Sequence, residues 1–142
     1  MCLSIYYMTY GCRHMNETLF KTDYVDVTIF EDSDNISICL YLEDSDVQQL
    51  GDMMNEKNPN AYMNGYNWEA FINAYLEYNA PEILEAIDTD PEAGMYAAYI
   101  NDVDDDSKEL AIKFGKLIQE IIENRDETLE FLDQYGDEIE WD

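Results

Sequence analysis

Alternating carboxylates are the first residues of this sequence whose spacing points to chemistry. Asp102, Asp104 and Asp106 alternate as the first three ligands of a calcium-binding loop do. The sixth position of such a loop takes glycine and the twelfth a bidentate glutamate, but Ser107 and Lys113 stand there in this chain. The calcium pattern therefore fails, and these aspartates are expected to form a solvated acidic connection.

Other residues with catalytic or metal-binding chemistry are few. The single histidine, His14, lies near Cys2 and Cys12, yet a fourth zinc ligand and paired Cys-x-x-Cys spacing are absent. Any Ser-His-Asp or Cys-His site would have to use the same histidine. Neither a Walker nor a Rossmann glycine pattern occurs. We therefore expect no catalytic residues, no metal and no cofactor.

Charge is the strongest compositional feature of the chain. Its 142 residues include 33 Asp and Glu against 7 Lys and Arg, a formal net charge of −26, and 46% of the residues are hydrophobic. The hydrophobic fraction predicts a folded chain in spite of the charge. An acidic surface repels nucleic acid and anionic membranes and attracts basic proteins. We therefore expect a protein partner, no nucleic acid and no membrane.

Cysteine usage and the absence of sorting signals predict a cytoplasmic location. The three cysteines are odd in number and lack a framework spacing, which favours reduced thiols. The first ten residues have no basic region, and no apolar run approaches membrane-spanning length. Cys39 lies within a predicted strand, where we expect it to be a small buried hydrophobe.

Residues 64–100 are the segment around which the predicted elements are organised. One apolar face at helical spacing is formed by Trp68, Phe71, Ile72, Tyr75 and Leu76. Asn67 is the expected N-cap of this helix, with Glu69 in its first turn. A second helix is expected over residues 81–87, and the apolar run 94–100 predicts a buried central strand.

The flanking segments predict strands and further helices. Alternation over residues 24–30 and 36–42 predicts a β-hairpin. A helix is expected over 46–57, with Ser45 or Asp46 as its N-cap.

Two more helices are expected near the C-terminus. The first begins with a capping box of Asp106 and Glu109 and has an apolar stripe at helical spacing from Leu110 to Ile122. The second spans 126–135 and ends at Gly136 as a C′ residue. The expected fold class is α+β: a small antiparallel sheet, made of the hairpin plus the central strand, packed against a single layer of several helices. Residues 1–22 are expected to be an N-terminal arm or an extra strand, and residues 23–142 a single domain.

The central segment resembles the immunity protein 51 family. The resemblance covers about residues 35–135 and rests on motifs of the form NGYxWE and DPEAxM. The residues that carry the two motifs are Asn64, Gly65, Tyr66, Trp68, Glu69, Asp90, Pro91, Glu92 and Met95. The chain departs from the family pattern in its longer N-terminal arm and at Asn67, where an acidic residue is expected.

The resemblance implies a small cytosolic α+β protein that binds a cognate toxin domain, encoded beside it in bacteria, and blocks it without catalysis of its own. On this interpretation exposed carboxylates of acidic loops contact the toxin: Asp32, Asp34, Glu43, Asp44, Asp46, Asp102, Asp104, Asp105 and Asp106. We expect the motif residues to be structural, with Gly65 in a tight turn and Trp68 and Met95 in the core.

Two other functions fit the same composition. An acidic mimic of nucleic acid would occupy the groove of a DNA- or RNA-binding protein, and it predicts salt-sensitive binding to several unrelated basic proteins. A small hydrolase with paired carboxylates predicts turnover that a specific pair controls, but among 33 acids no pair stands out. An immunity protein predicts tight binding to one toxin.

Overall fold

A five-stranded antiparallel sheet forms one layer of the fold in the computed structural model, which describes residues 16–31 and 33–141. Its strands are β1 (Glu17–Lys21), β2 (Val25–Ile29), β3 (Asn35–Tyr41), β4 (Ile87–Thr89) and β5 (Met95–Asn101). Their spatial order is β1-β2-β3-β5-β4, and all neighbours are antiparallel. The central strand β5 therefore lies between β3 and the short edge strand β4.

Helices form the second layer. They are α1 (Ser45–Lys57), α2 (Gly65–Asn79), α3 (Pro81–Ala86), α4 (Asp105–Glu123) and α5 (Arg125–Tyr135), followed by a 3-10 turn (Gly136–Glu138). Helix α4 packs against β1, β2 and β3, and α2 packs against β5. The predicted α+β class is therefore confirmed.

The core lies between the helices and one face of the sheet. Strand register places Val27, Ile38 and Ala98 side by side in one row, and all three are fully buried. From the helices, the predicted apolar faces of α2 and α4 point inward, and Trp68, Phe71 and Phe114 are among the largest fully buried side chains. Burial of each such side chain contributes roughly 1.5–3 kcal/mol.

Aromatic rings join α2 to α5. The Phe131 ring packs edge-on against Phe71 with centroids 5.6 Å apart, and it also contacts Tyr75, Tyr78 and Tyr135. Such pairs add about 0.5–1.5 kcal/mol beyond the area they bury. The C-terminal helix is therefore fixed to the helix that carries the first motif.

The sheet is larger than the expected hairpin plus central strand, because β4 extends it at one edge and β1 at the other; β1 lies within residues 1–22, for which an arm or an extra strand was expected. The expected helix over residues 81–87 is wrong at its end, since α3 stops at Ala86 and Ile87 pairs with Ile100 of β5. Two β-branched residues, Ile87 and Thr89, favour the strand. The predicted hairpin and the helix over 46–57 are confirmed within a few residues.

The N-caps of α1 and α2 both lie earlier in the sequence than predicted. The N-cap of α2 is Asn64, whose side chain accepts from the N–H of Asn67 at 2.9 Å, so Glu69 lies beyond the first turn. The prediction of Asn67 as cap is wrong because the NG pair begins the helix rather than a separate turn. For α1 the cap is Asp44, which accepts from Asp46 and Val47.

The ends of the C-terminal helices also need correction. The capping box of α4 joins Asp104 and Ser107, each backbone N–H donating to the other side chain at 2.8 Å, instead of Asp106 and Glu109. Gly136 has a right-handed backbone with φ −59°, so it is not a left-handed C′ cap. A Cβ at that position would lie 2.9 Å from Nδ2 of Asn58, the far end of a flexible side chain that can shift.

Candidate functional site

The two sequence motifs meet through backbone atoms. The N–H of Gly65 donates to the carbonyl oxygen of Ala93 at 3.1 Å, and Glu92 and Met95 close the adjoining turn with reciprocal backbone hydrogen bonds. A Cβ built on Gly65 would lie 1.6 Å from the carbonyl oxygen of Glu92. Position 65 therefore has no room for any side chain, and this contact holds the start of α2 against the turn before β5.

Glu69 of α2 interacts with two strands of the sheet, through Thr89 of β4 and through the buried Tyr96 of β5. The Thr89 hydroxyl donates to the Glu69 carboxylate, which ties α2 to the edge strand β4. Burial raises the pKa of the Tyr96 phenol, and the nearby charge of Glu69 raises it further. The Tyr96 hydroxyl has no hydrogen-bond partner among the described residues. Tyr96 is therefore held as a neutral phenol.

Asn67 and Trp141 connect the first motif to the C-terminal tail. The Asn67 amide Nδ2 donates to the backbone oxygen of Trp141 at 2.7 Å, and the Trp141 indole N–H donates to the backbone oxygen of Gly136 at 3.1 Å. Trp68 is buried as expected. Met95 is only half-buried and lies outside the core, because alternation along β5 turns Tyr96 inward instead. The expectation of a core position for Met95 is therefore wrong.

Two of the predicted acidic loops lie side by side at one end of the sheet. The N–H of Asp102 donates to the carbonyl oxygen of Asp34 at 3.2 Å, where β3 begins and β5 ends. We call this region the acidic end; its described members, all exposed, are Asp34, Asp102, Asp104, Asp105 and Asp106. Asp32 lies outside the described residues. Carboxylates so placed create a strongly negative local potential.

The third acidic loop lies at the opposite end of β3. Glu43 follows the last residue of that strand, whereas Asp34 precedes the first. Asp44 is occupied as a helix cap, and a carboxylate oxygen of Asp46 is 3.8 Å from the guanidinium of Arg125. The structure therefore does not bring all the predicted toxin contacts into one patch.

Basic side chains in the described part of the chain are almost all in ion pairs. Five of its six Lys and Arg residues have a carboxylate oxygen within 4 Å, and these pairs are Lys21–Asp26, Lys57–Asp133, Lys108–Glu17, Lys113–Glu82 and Arg125–Asp46. The hydrogen bond from Lys113 lowers the pKa of the Glu82 carboxyl. Exposed pairs contribute little stability, but here they leave most carboxylates without a counter-charge.

A groove over the start of α2 was not predicted from the sequence. It consists of three adjoining depressions of about 470, 350 and 590 Å³. Tyr62 and Asn64 line both the first and the second, while Tyr66 and Ile139 line both the second and the third. We call it the signature groove. The one sequence signal for it is a pair of tyrosines, Tyr62 just before the first motif and Tyr66 within it, which are 74% and 50% exposed.

The walls of the signature groove are acidic. Its lining carboxylates are Glu43, Asp52, Glu69, Glu77, Glu138 and Glu140. None of the described residues that line the three depressions is Lys or Arg. Among the predicted toxin contacts that the structure describes, Glu43 alone lies in this groove.

The described residues contain neither a metal-binding cluster nor a membrane-spanning helix. Within residues 16–31 and 33–141, no group of three or more His, Cys, Asp or Glu side chains is placed to hold a metal ion. Burial raises the pKa of the half-buried Cys39 thiol, which disfavours a reactive thiolate. No helix in that part of the chain is both long enough and apolar enough to cross a bilayer.

Comparison with known proteins identifies the family. No curated protein and no solved structure gives a significant match. The family profile described as Immunity protein 51 matches residues 27–137, a span that contains both motifs and most of the elements described above. Immunity proteins neutralise toxins by binding them and are generally not enzymes. The match extends over more than three quarters of the sequence, so this chain belongs to the Immunity protein 51 family.

Proposed function

We propose that this chain binds one cognate toxin domain with a basic surface and blocks it in the cytoplasm, without catalysis. Family membership supports toxin neutralisation. The observation that supports the finer claim is that five of the six described basic side chains are in ion pairs, which leaves most carboxylates without a counter-charge. Such a surface accelerates encounter with a partner of opposite charge.

The proposed toxin is a polymorphic toxin encoded beside this chain and delivered by contact between bacterial cells. A toxin that cleaves nucleic acid fits best, because proteins that grip phosphates do so with Lys and Arg. The acidic end would then steer the toxin toward the inhibitor, with Asp34 and Asp102 at its centre. Affinity in such complexes depends on a few buried anchors rather than on exposed charge.

Co-expression with the toxin from the neighbouring gene tests this proposal. Cells that make both proteins are expected to grow, and cells that make the toxin alone are expected to die. Undiminished killing in the presence of abundant folded inhibitor would contradict the proposal. A parallel measurement with purified inactive toxin should give tight binding, whereas equal affinity for several unrelated nucleic-acid-binding proteins would favour the mimic instead.

A further inference from the structure

The signature groove contains hydrogen-bond acceptors that nothing in the described chain satisfies. Asn67 lines its central depression and is 3% exposed. Its Nδ2 faces the backbone oxygen of Trp141, which can only accept, so the orientation of the amide is fixed. The Asn67 Oδ1 atom is left without a partner among the described residues. A buried acceptor of this kind is costly unless a donor reaches it.

A second unsatisfied acceptor lies in the neighbouring depression. Oδ1 of Asn73 is buried and has no hydrogen-bond partner among the described residues, and the same depression carries Glu69, Glu77 and Glu138. The Asn73 site therefore offers an oxygen atom together with negative charge, and the Asn67 site offers an oxygen atom in a depression that lies between two acidic ones. A ligand that matches them must be rich in donors and positively charged.

The N-terminus of α2 adjoins the groove, and a helix N-terminus by itself favours anions. Three donors of its first turn are already occupied in this structure. The N–H of Gly65 donates to Ala93, and those of Asn67 and Trp68 donate to the side chain and backbone of Asn64. The carboxylates of the walls, rather than the helix end, therefore determine the sign of charge that the groove accepts.

Two exposed rings stand at the junctions between depressions. Tyr62 separates the first from the second, and Tyr66 separates the second from the third. Aromatic faces attract cations, and the planar guanidinium group of arginine stacks on them. Tyrosine and arginine are also the residues most enriched among interface anchors.

We propose that the signature groove receives an arginine side chain of the toxin. The guanidinium lies between Tyr62 and Tyr66 and directs its N–H groups at Oδ1 of Asn67 and at the wall carboxylates. Arginine fits better than lysine, because its rigid fork presents five donors in one plane whereas an ammonium is a compact point charge. This inference rests on the proposed function and names the group of the partner that is recognised.

A small-molecule probe tests the groove independently of the toxin. N-acetyl-arginine amide is titrated into the full chain and followed by nitrogen-proton correlation NMR, with N-acetyl-citrulline amide as the neutral isostere and N-acetyl-lysine amide as the second cation. We expect saturable shifts at the side-chain amide of Asn67 and at the backbone of Tyr62 and Tyr66, with the arginine probe at least about tenfold tighter than either other probe. Equal shifts with the citrulline probe, shifts spread over carboxylates throughout the surface, or no shifts would overturn the inference.

Matched variants test the assignment of the residues. Tyr62→Ala with Tyr66→Ala is expected to weaken binding of the arginine probe about tenfold, while Phe30→Ala, at an exposed ring outside the groove, leaves it unchanged. Glu138→Gln with Glu140→Gln changes the net charge by the same amount as Glu127→Gln with Glu130→Gln. Only the first of these two pairs lines the groove, so equal losses of affinity for the arginine probe from both pairs would contradict the assignment.

The same variants distinguish failure of the inference from failure of the proposed function. If the double tyrosine variant folds, protects cells fully and binds inactive toxin with unchanged affinity, the groove is not the toxin site and the immunity function stands. If the unaltered chain fails to protect cells while the arginine probe binds selectively, the proposed toxin is wrong and the ligand class of the groove stands.

Discussion

The backbone N–H of Gly65 donates a hydrogen bond to the carbonyl oxygen of Ala93, so the two sequence motifs are the two sides of one contact. That contact positions the first turn of α2. The same turn carries Tyr66 and Asn67, and Tyr62 comes just before it. Four motif residues therefore line the signature groove: Asn64, Tyr66, Trp68 and Glu69.

Gly65→Ala is expected to destabilise the fold by about 3 kcal/mol or more, because its Cβ would overlap the carbonyl oxygen of Glu92 and force the turn or the helix to move. Urea denaturation measures the loss. Gly94→Ala is the matched control in the same turn: no atom lies within 4 Å of a Cβ there. We expect that control to change the free energy of unfolding by about 1 kcal/mol at most, and equal effects at the two glycines would contradict the steric argument.

Asp104→Ala is expected to lower the free energy of unfolding by about 1 kcal/mol, because it removes the side chain that accepts from the N–H of Ser107 at the start of α4. Asp106→Ala changes an exposed carboxylate in the first turn of the same helix that does not cap it. Its cost is expected to be at most about half as large. If both substitutions cost the same in thermal or chemical denaturation, the capping box contributes nothing specific.

Sequence patterns were sufficient to identify the buried faces of the helices but not the residues that cap them. Apolar periodicity identified the faces of α2 and α4, since burial of a helical face depends on spacing alone. The caps could not be chosen from the sequence, because Asn64 and Asn67, or Asp104 and Asp106, are equally good capping types and only the tertiary position of the first turn selects one. β4 escaped prediction because three residues carry too little periodicity, and its pairing with β5 is a long-range contact.

Neutralising the acidic end is expected to slow association with the toxin without altering the fold. Asp34→Asn, Asp102→Asn and Asp105→Asn remove three charges and leave the Asp104 cap in place; asparagine also tolerates the left-handed backbone of Asp102, φ 65°. The matched control, Glu56→Gln, Glu127→Gln and Glu130→Gln, has the same net charge. Stopped-flow mixing with inactive toxin should show a lower on-rate at low salt for the first variant, and the difference should shrink near about 0.15 M salt. Identical on-rates for the two variants would show that the acidic end does not contribute to the encounter with the toxin.

Tyr96→Phe is expected to change how stability depends on pH. An unfolded tyrosine titrates near about pH 10. Burial and Glu69 raise the pKa of folded Tyr96 above that value, so its contribution is fully present below about pH 10 and is lost as the pH rises toward the folded pKa. Phenylalanine should flatten this alkaline loss in urea denaturation.

At neutral pH the same variant removes a hydroxyl that has no partner among the described residues, so we expect stability to be unchanged or raised by about 1 kcal/mol. If the free energy of unfolding of the variant falls at alkaline pH as steeply as that of the parent chain, another group is responsible for the alkaline loss of stability.

The candidate site was less predictable than the fold. Composition indicated carboxylates as the functional groups, but it could not rank them, because a charge count carries no information about which loops are neighbours. The adjacency of Asp34 and Asp102 follows from strand register, and the groove follows from the docking of Trp141 beside Asn67. Both are long-range contacts that no local pattern encodes.

The close approach at Gly65 also limits which mutations can restore function after a substitution at this position. The atom that blocks a side chain there is a backbone oxygen, which every amino acid at position 92 would supply. A second mutation at that position therefore cannot suppress a substitution at Gly65. In a random mutagenesis selection for restored protection, we expect true revertants to glycine and few intragenic suppressors.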